Sequence, residues 1–399
     1  MSAPLENIRV LDMSRVLAGP WAGQLLGDYG ADVVKIERPE CGDDTRQWGP
    51  PWLDDAESVS AYFLSANRNK RSVTVNLAAG AGQALIRDLA VKADVLLENY
   101  KIGTLARYGL GPDDLLKLNP RLIYCSISAF GQNGPRASEP GYDAMIQASA
   151  GLMSITGPES GGPQKVGVAI SDIMAGMYAA TAILAAINAR MQSGRGQHID
   201  VPLYDSQVAW LANQNMNFLL SGKAPGRMGT AHPNLVPYQA FETRDGNLML
   251  TVGNDRQFRS CCDVFELPDV KIDPRFATMK KRIQNRALLI PILQSRLKER
   301  DSGEWLALLL EQGVPAGPVN DIAEVLTNQH ARERNLVRHI ENSESISIPM
   351  VSNPVEFAET PVSYVHAPPA LGEHTNEVLR EWLGYSDTRI ESLRRNGAL

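Results

Sequence analysis

The stretch IRVLDMSRVLAGPWAGQLLGDYGADVVKIE, residues 8–37, decides the fold class. Short apolar runs predict strands at Ile8 to Met13 and at Asp32 to Glu37, and the segment between them, from Gly19 to Asp28, has helical periodicity. Two strands joined by a helix are typical of a βαβ unit, in which the two strands lie parallel to each other.

The same alternation continues along the first part of the chain. It predicts a helix near Gly80 to Lys92 and three further strands, at Ser72 to Leu77, Asp94 to Tyr100 and Leu122 to Phe130. Several parallel strands with helical crossovers form a doubly wound sheet, so the predicted fold class is α/β with a mostly parallel, doubly wound sheet.

The pattern changes after Gly196. We predict a long helix at Asp205 to Leu220 and then an antiparallel strand pair, Gln239 to Thr243 and Asn247 to Val252, joined by an Asp-Gly turn. Three more helices are predicted at Arg256 to Phe265, Lys281 to Arg300 and Glu304 to Gln312, and Pro291 should kink or divide the second of them. Together these elements indicate a smaller α+β domain. The C-terminal segments His374 to Leu383 and Ser386 to Arg394 are again predicted to be helical.

Length and charge restrict the class of function. A chain of 399 residues exceeds the size at which one core usually keeps growing, so two domains are expected. Lys and Arg number 39 against 45 Asp and Glu, a net charge of −6, which argues against non-specific nucleic-acid binding. An anionic ligand would therefore need a local basic pocket.

Location and metal content are predicted from a few residue types. The four cysteines have no CxxC spacing and are predicted to be reduced thiols. The N-terminus has no signal-peptide pattern, and the two observations together predict a cytoplasmic protein. The uncharged stretches Ile173 to Ala189 and Ser206 to Gly222 are shorter than the ~20 residues of a membrane span. No histidine lies in a metal-ligand spacing, so no metal is expected.

The first turn between strand and helix offers a dinucleotide-binding interpretation. Gly19 and Gly23 could bring the backbone close to a phosphate, although the pattern is not G-x-G-x-x-G. Glu37 ends a strand as a ribose-binding acid would, but Arg38 follows it directly and suits a phosphate instead. The alternative is a turn that packs the helix on the strand.

Basic residues are candidates for binding an anionic ligand. They occur in two groups, Arg46, Arg68, Lys70 and Arg71, and then Lys101 and Arg107. Ligands of open α/β sheets bind outside the carboxyl ends of strands, which places Asn99, Tyr100 and Arg107 well for a phosphorylated cofactor. A solvated loop is the alternative.

Asp172 is the candidate catalytic residue, at the start of a long predicted helix. An Asp in that position ordinarily caps the helix by accepting backbone N–H bonds. The functional interpretation is a carboxylate nucleophile beside backbone donors that could hold an oxyanion. His232, in the glycine-flanked loop GTAHPN, could contact substrate or be structural.

Several motifs in fixed order resemble the family III CoA-transferases. They are RVLAGPWAGQLLGDYGADVVKIERP (15–39), NRNKRSVTVNL (67–77), DVLLENY (94–100) followed by GLG, GYDAMIQASAGLM (141–153), and the Asp172 helix that ends in SGRGQHIDV (193–201). The similarity covers essentially the whole chain. The segments 229–250 and 313–321 are most similar to members that exchange CoA between dicarboxylates.

The resemblance implies an architecture. A large Rossmann-like domain over residues 1–200 would be completed by about 330–399, a small α+β domain would span 225–325, and two subunits would interlock as linked rings in a homodimer. Acyl-CoA would be a substrate, with no permanently bound cofactor.

The resemblance also implies site residues. Asp172 falls on the aspartate nucleophile, and Tyr142 and Asp143 fall on the segment beside the thioester. The CoA contacts would be Arg38, Val75, Leu77, Asn99, Tyr100 and Arg107, with Val16, Leu17 and Ala18 lining the same cleft. From their charge alone, and not from the resemblance, Arg46, Arg107 or His232 could recognise the small acid.

The implied reaction moves CoA from a donor such as succinyl-CoA to a small dicarboxylic acid such as glutarate. Two alternatives stay open. Racemases of the same fold place a His where this chain has Tyr142, whose phenol is a poor base near neutrality. A dinucleotide-dependent oxidoreductase would use the first turn instead.

Overall fold

The computed structural model describes residues 3–54, 56 and 58–399, which divide into two compact units. The larger unit comprises the residues up to Leu152, Val166–Ser221 and Gln329–Leu399, and the smaller unit comprises Met153–Lys165 and Gly222–Asn328. Compared with the expected boundaries, the larger unit extends beyond residue 200 and lacks the segment 153–165.

The strands lie close to their predicted positions where the prediction was made. They are β1 (Arg9–Asp12), β2 (Asp32–Glu37), β3 (Lys70–Thr74), β4 (Val95–Glu98), β5 (Ile123–Ser128), β6 (His198–Pro202), β7 (Tyr238–Glu242), β8 (Asn247–Thr251), β9 (Ala316–Pro318), β10 (Val337–Glu341) and β11 (Ser347–Val351).

The helices connect these strands and follow them at the C-terminus. They are α1 (Ala18–Asp28), α2 (Ala61–Leu64), α3 (Gly80–Lys92), α4 (Pro112–Leu118), α5 (Asp143–Ser149), α6 (Leu152–Ile155), α7 (Ile170–Ser193), α8 (Leu203–Trp210), α9 (Asn213–Ser221), α10 (Asp255–Val264), α11 (Pro268–Ile272), α12 (Met279–Gln284), α13 (Arg286–Leu297), α14 (Ser302–Glu311), α15 (Ile322–Thr327), α16 (Gln329–Glu333), α17 (Thr375–Leu383) and α18 (Asp387–Arg395).

The larger unit is built on a six-stranded sheet in the order β3-β2-β1-β4-β5-β6, with all neighbouring strands parallel. This is the Rossmann strand order, in which the direction of winding reverses between β1 and β4. The prediction of a parallel α/β sheet is confirmed. A separate antiparallel pair, β10 with β11, also belongs to this unit.

Both faces of the large sheet are covered because successive strand residues point to opposite sides. Val95 and Leu97 of β4 pack with α1, α5 and α7, whereas Leu96 packs with α3, α4, α17 and α18. A fully buried Val or Leu contributes about 1.5–3 kcal/mol, so each face holds its helices firmly. The two ends of the chain therefore build one unit together.

The smaller unit combines a three-stranded antiparallel sheet, β7-β8-β9, with α10 to α14. Its core lies around Phe258, Leu289 and Trp305, all buried. Trp305 donates a hydrogen bond from its ring N–H to the carbonyl of Leu297, which satisfies the one polar group of this buried side chain.

Two predicted helices are each divided. The helix expected from Asp205 to Leu220 is interrupted between α8 and α9, where Ala212 has a left-handed φ of 46°. The helix expected from Lys281 to Arg300 is interrupted at Asn285, whose side-chain amide donates to two carbonyls, and Pro291 lies inside α13. The predicted helix is therefore divided at Asn285 and not at Pro291.

Helix α7 has 24 residues and is long and apolar enough to cross a membrane by length and composition alone. The uncharged stretch 173–189 lies inside it, so the helix is longer than that stretch suggested. Core helices share these two properties, and α7 packs against α1, α8 and strands β5 and β6.

Candidate active site

The site lies where the winding of the large sheet reverses, at the carboxyl ends of β1 and β4. The segment after β1 and the segment after β4 meet there, because Asn99 accepts a hydrogen bond from the N–H of Arg15 at 2.8 Å and donates one to its carbonyl at 2.7 Å. Ligands of open α/β sheets bind at such a reversal. One asparagine thus connects the two halves of the site.

Val16 has a left-handed backbone with φ of 69°. For a β-branched residue this conformation costs about 1–2 kcal/mol, so the surroundings must hold it. Its N–H donates to both carboxylate oxygens of Asp43, at 3.2 and 3.3 Å. Strained backbone of this kind is concentrated at functional sites.

Helix α1 begins directly after this strained turn. Its N-terminus at Ala18 has no side-chain cap, so the N–H groups of the first turn and the positive end of the helix dipole are not neutralised there by a side chain. Such a helix start favours a negative charge on a ligand.

Asp172 lies in the first turn of α7 and does not cap it. The N–H of Ser171 is accepted by Asp143 of α5 at 2.8 Å, and among the described residues Asp172 has no hydrogen-bond partner. The capping interpretation of Asp172 is therefore wrong: another helix supplies the acceptor.

The electrostatic setting of Asp172 is unusual for an aspartate. Burial of its carboxyl group and the neighbouring charge of Asp143 raise the pKa of Asp172 to about 7. A carboxylate that is desolvated and unpaired is a stronger nucleophile than one held by cations or N–H donors.

A cleft of about 240 Å³ brings these features together. It is lined by residues that follow β1, β4 and β5 and by the starts of helices: Arg15, Val16, Leu17, Ala18, Asp44, Asn99, Tyr100, Lys101, Ile102, Ile127, Ser128, Ala129, Ala137, Glu139, Pro140, Gly141, Tyr142, Asp172 and Leu203. Asp172 and the uncapped start of α1 thus line one cavity.

A second cavity, of about 440 Å³, adjoins the first because Tyr100 lines both. Its other lining residues include Arg38, Cys41, Leu77 and Tyr108. An elongated ligand could place one end in each cavity.

Comparison with known proteins identifies the family. The family model for CoA-transferase family III matches residues 5–375. The chain belongs to CoA-transferase family III. Members of this family use acyl-CoA as substrate.

Individual relatives agree with this assignment. A succinate–glutarate CoA-transferase of Agrobacterium fabrum is 47% identical over 381 residues, covering 95% of each chain. A succinyl-CoA:glutarate CoA-transferase of Mus musculus is 42% identical over 396 residues, covering 99% of this chain and 90% of that protein. The crystal structure of a CaiB/BaiF family protein from Brucella suis has a TM-score of 0.84 at 43% identity, covering 96% of this chain and 100% of that one.

In this CoA-transferase the predicted CoA contacts divide into two groups. The cavities are lined by Val16, Leu17, Ala18, Asn99 and Tyr100, and by Arg38 and Leu77. Val75 instead lies in the core at 1% exposure, and Arg107 is exposed on a short 3-10 helix without lining either cavity. The side chain of Val75 is therefore not available to a ligand.

The first of the two predicted basic groups is held in ion pairs inside the fold. Arg46 is 5% exposed and forms a bidentate pair with Glu37 at 2.7 and 2.8 Å, and it also donates to the carbonyl of Pro369. The other three members are likewise paired: Arg68 with Asp28, Lys70 with Asp12, and Arg71 with Asp32, Glu377 and Glu381. The prediction that Arg46 binds the acid is wrong, because its side chain is buried, its Nε and Nη2 already bond Glu37 and Pro369, and it lines neither cavity.

His232 belongs to the smaller unit and has local partners there. Its Nδ1 accepts the N–H of Asn234, and its ring packs against Tyr238. Burial and the charge of Arg286 lower the pKa of His232, so the ring is neutral at pH 7. A substrate contact by His232 stays a prediction.

Tyr142 and Asp143 take different roles at the start of α5. Tyr142 is 70% exposed and lines the cleft, whereas Asp143 bonds Ser171 and the side-chain amide of Gln147. Asp143 thus fixes the position of the α7 start and adds a negative charge beside Asp172.

Further residues of the site were not predicted from sequence. Arg15 and Glu139 line the cleft, and burial together with the charges of Asp172 and Asp143 raises the pKa of Tyr62 to about 12. Arg15 is adjacent to the predicted residue Val16, which is a signal that sequence reasoning could have used. Lys101, from the second predicted basic group, also lines the cleft.

The described residues hold no group of three or more His, Cys, Asp or Glu side chains arranged to bind a metal ion. All four cysteines are free, and only Cys41 is exposed.

Proposed function

We propose that this enzyme transfers CoA from succinyl-CoA, or a similar donor, to a small dicarboxylic acid such as glutarate. The observation that carries the proposal is the unpaired Asp172 carboxylate in a cleft shared with the uncapped start of α1. The names of the relatives from Agrobacterium fabrum and Mus musculus support this substrate pair.

The first half of the proposed reaction transfers CoA to the enzyme. The Asp172 carboxylate attacks the thioester carbonyl of the donor, and the carbon–sulfur bond breaks to give a mixed anhydride and CoA thiolate. The thiolate then attacks the Asp172 carbonyl of the anhydride. This step releases the donor acid as its carboxylate and leaves an aspartyl-CoA thioester.

The second half repeats these steps with the acceptor. The acceptor carboxylate attacks the Asp172 thioester carbonyl, which releases CoA thiolate and forms a second anhydride. The thiolate attacks the acceptor's acyl carbon, so that the product acyl-CoA leaves and the Asp172 carboxylate is restored. Each tetrahedral intermediate carries an oxyanion that backbone N–H groups at a helix start could stabilise.

The cleft also contains cations suited to the second carboxylate of a dicarboxylic acid. Arg15 packs its guanidinium over the Tyr100 ring at 5.1 Å and bonds Asp44 at 3.2 Å, while Lys101 is exposed at the same cleft. The Nε of Arg15 is buried and has no partner among the described residues. These two residues replace Arg46 in the proposal.

Chemical trapping tests the nucleophile. After incubation with succinyl-CoA, hydroxylamine or borohydride should modify Asp172 and no other carboxylate, as read by peptide mass spectrometry. Asp172→Asn should lower kcat by roughly 10³-fold or more, whereas Asp44→Asn, a matched change in the same cleft, should still be labelled at Asp172. Labelling at any other residue contradicts the mechanism.

A panel of acids tests the substrate. With succinyl-CoA as donor, glutarate should be converted to its CoA thioester with a higher kcat/KM than pentanoate, which has the same chain length but one carboxylate.

An exchange experiment in D₂O tests the racemase alternative. Deuterium incorporation α to the thioester at turnover rates, without CoA exchange, would reject the transferase proposal.

We propose further that the enzyme is a homodimer in the cytoplasm. The larger unit exposes apolar side chains on α7 to α9, namely Met177, Tyr178, Met191, Trp210, Leu219 and Leu220. Monomeric proteins in water rarely expose large groups of apolar side chains, so a second subunit is expected to cover them. Light scattering should give about twice the 43.6 kDa chain mass. A monomer at micromolar concentration contradicts the proposal.

A further inference from the structure

A buried ion pair lies beneath the strained turn of the cleft. Lys35 of β2 and Asp43 of the following loop are both 0% exposed, with Nζ and Oδ2 separated by 2.9 Å. Burying such a pair removes two charges from water, and a well-packed apolar pair is often no less stable. Stability alone therefore does not account for charges at this position.

The two residues of this ion pair hold the backbone of Ser14 and Val16, which flank the cleft residue Arg15. Lys35 donates to the carbonyl of Ser14 at 3.0 Å, and Asp43 accepts the N–H of Val16. Since Asn99 holds both backbone groups of Arg15, side chains fix the backbone continuously from Ser14 to Val16.

Asp43 uses nearly all of its acceptor capacity. Besides Lys35 and Val16, it accepts the N–H of Thr45 at 3.0 Å and the Thr45 hydroxyl at 2.8 Å. Burial by itself would raise the pKa of Asp43, but Lys35 and these hydrogen bonds outweigh it and lower the pKa to about 2. An asparagine could not replace this carboxylate, since its amide has one acceptor oxygen and two donors.

We propose that the Lys35–Asp43 pair is a positioning device for the transfer reaction. It holds Val16 in its left-handed conformation and thereby places the N–H groups at the start of α1 in the cleft that Asp172 lines. The inference rests on the proposed function, because those N–H groups act on the oxyanion formed when the Asp172 carboxylate attacks a thioester.

The test uses the full-length enzyme and separates kcat from KM. Asp43→Asn should lower kcat by about 10²-fold, the loss typical of a displaced oxyanion donor. KM for succinyl-CoA should change less than threefold, because the cavity lined by Arg38 and Leu77 is untouched. Glycine adopts positive φ freely, so adding Val16→Gly to Asp43→Asn should restore kcat by about tenfold.

A second ion pair provides the matched control. Arg68 and Asp28 are similarly buried but do not line the cleft. Asp28→Asn should lower the melting temperature and leave kcat of the folded enzyme within about twofold of wild type. Equal losses of kcat in Asp28→Asn and Asp43→Asn, or no restoration by Val16→Gly, would overturn the inference.

A neutral double variant keeps the test decisive if Asp43→Asn does not fold. Lys35→Met with Asp43→Asn leaves no uncompensated charge, and it should fold with the same loss of kcat. Wild-type kcat in that variant would also overturn the inference. Failure of the proposed function is distinguishable, because wild-type enzyme would then exchange no CoA at all.

Discussion

Asp172 and Asp143 are neighbouring carboxylates with separate tasks. Asp143 accepts backbone and side-chain N–H groups, whereas Asp172 is left desolvated and without a partner among the described residues. Because the two charges repel, the protonation of Asp172 depends on its neighbour. Only the ionised form of Asp172 can attack a thioester.

The pH dependence of turnover follows from this arrangement. Since the pKa of Asp172 is raised to about 7, kcat/KM for acyl-CoA should increase with pH, with a midpoint near 7. Asp143→Asn keeps an acceptor for Ser171 but removes the like charge, so the midpoint should move to lower pH. The shift should be partial because burial is the larger cause. An Asp44→Asn control should leave the midpoint unchanged, and an unshifted midpoint in Asp143→Asn contradicts the assignment.

Arg15 should determine the preference for dicarboxylic acids. Arg15→Met removes a charge-assisted hydrogen bond, so KM for glutarate should rise about 10- to 100-fold while KM for pentanoate stays near its wild-type value. Steady-state kinetics with both acids measures this difference. A rise in KM for acyl-CoA instead would place Arg15 on the CoA rather than on the acceptor.

At the level of elements, the site depends on how closely α1 and α7 approach. A Cβ on Gly176 of α7 would lie 2.6 Å from the carbonyl oxygen of Ala18, the first residue of α1. The small residues along α7 thus let the two helix starts share one cleft. Any larger side chain at Gly176 must push the helices apart.

Gly176→Ala should therefore affect both stability and turnover. Overpacking of this kind typically costs about 1–3 kcal/mol, and the displaced starts of α1 and α7 should lower kcat more than KM. Gly80→Ala in α3, where an added Cβ would meet nothing within 4 Å, is the matched helical control. Denaturant unfolding and steady-state kinetics measure the two effects; wild-type values for Gly176→Ala would contradict the packing argument.

At the level of the whole molecule, buried acids make stability depend on pH. Glu98 ends β4 at 6% exposure, and burial is the main cause that raises its pKa to about 7. An acid whose folded pKa lies above its unfolded pKa stabilises the protein below the unfolded pKa. That contribution is lost as pH rises through the folded pKa.

Glu98→Gln should consequently raise the melting temperature at pH 8. The amide oxygen can still accept the N–H of Tyr100, while the cost of a buried charge is removed. The advantage should shrink as the pH falls from 7 and disappear below 4.5, the ordinary pKa of a glutamate, because the wild-type side chain is then protonated in both states. Melting curves across this range test the sign, and a lower melting temperature at pH 8 would contradict it.

Much of the fold was predictable because local sequence periodicity determines strands and helices. The helix Gly80 to Lys92 and the strand Asp32 to Glu37 have their predicted ends. Helices at Asp205 to Leu220 and Lys281 to Arg300 were expected too, but their interruptions at Ala212 and Asn285 depend on backbone and side-chain contacts that no periodicity reports.

The site was predictable only in part. Asp172, Asn99, Tyr100 and the segment 16–18 were expected to be close together, and they line one cleft. Arg46 was misassigned because a sequence shows a charge but not its partner. Its counter-ion, Glu37, ends the strand that had suggested a nucleotide site.

The amino-acid sequence by itself determined the order of strands and helices, the apolar faces that pack them, and the family to which the chain belongs. Tertiary structure alone decided which charged side chains form ion pairs, that the Asp172 carboxylate has no partner among the described residues, and that Val16 is held in a strained turn. The physical reason is distance along the chain: Arg68 and Asp28 lie 40 residues apart, and Asn99 reaches back 84 residues to Arg15. Only folding brings such groups within hydrogen-bonding range.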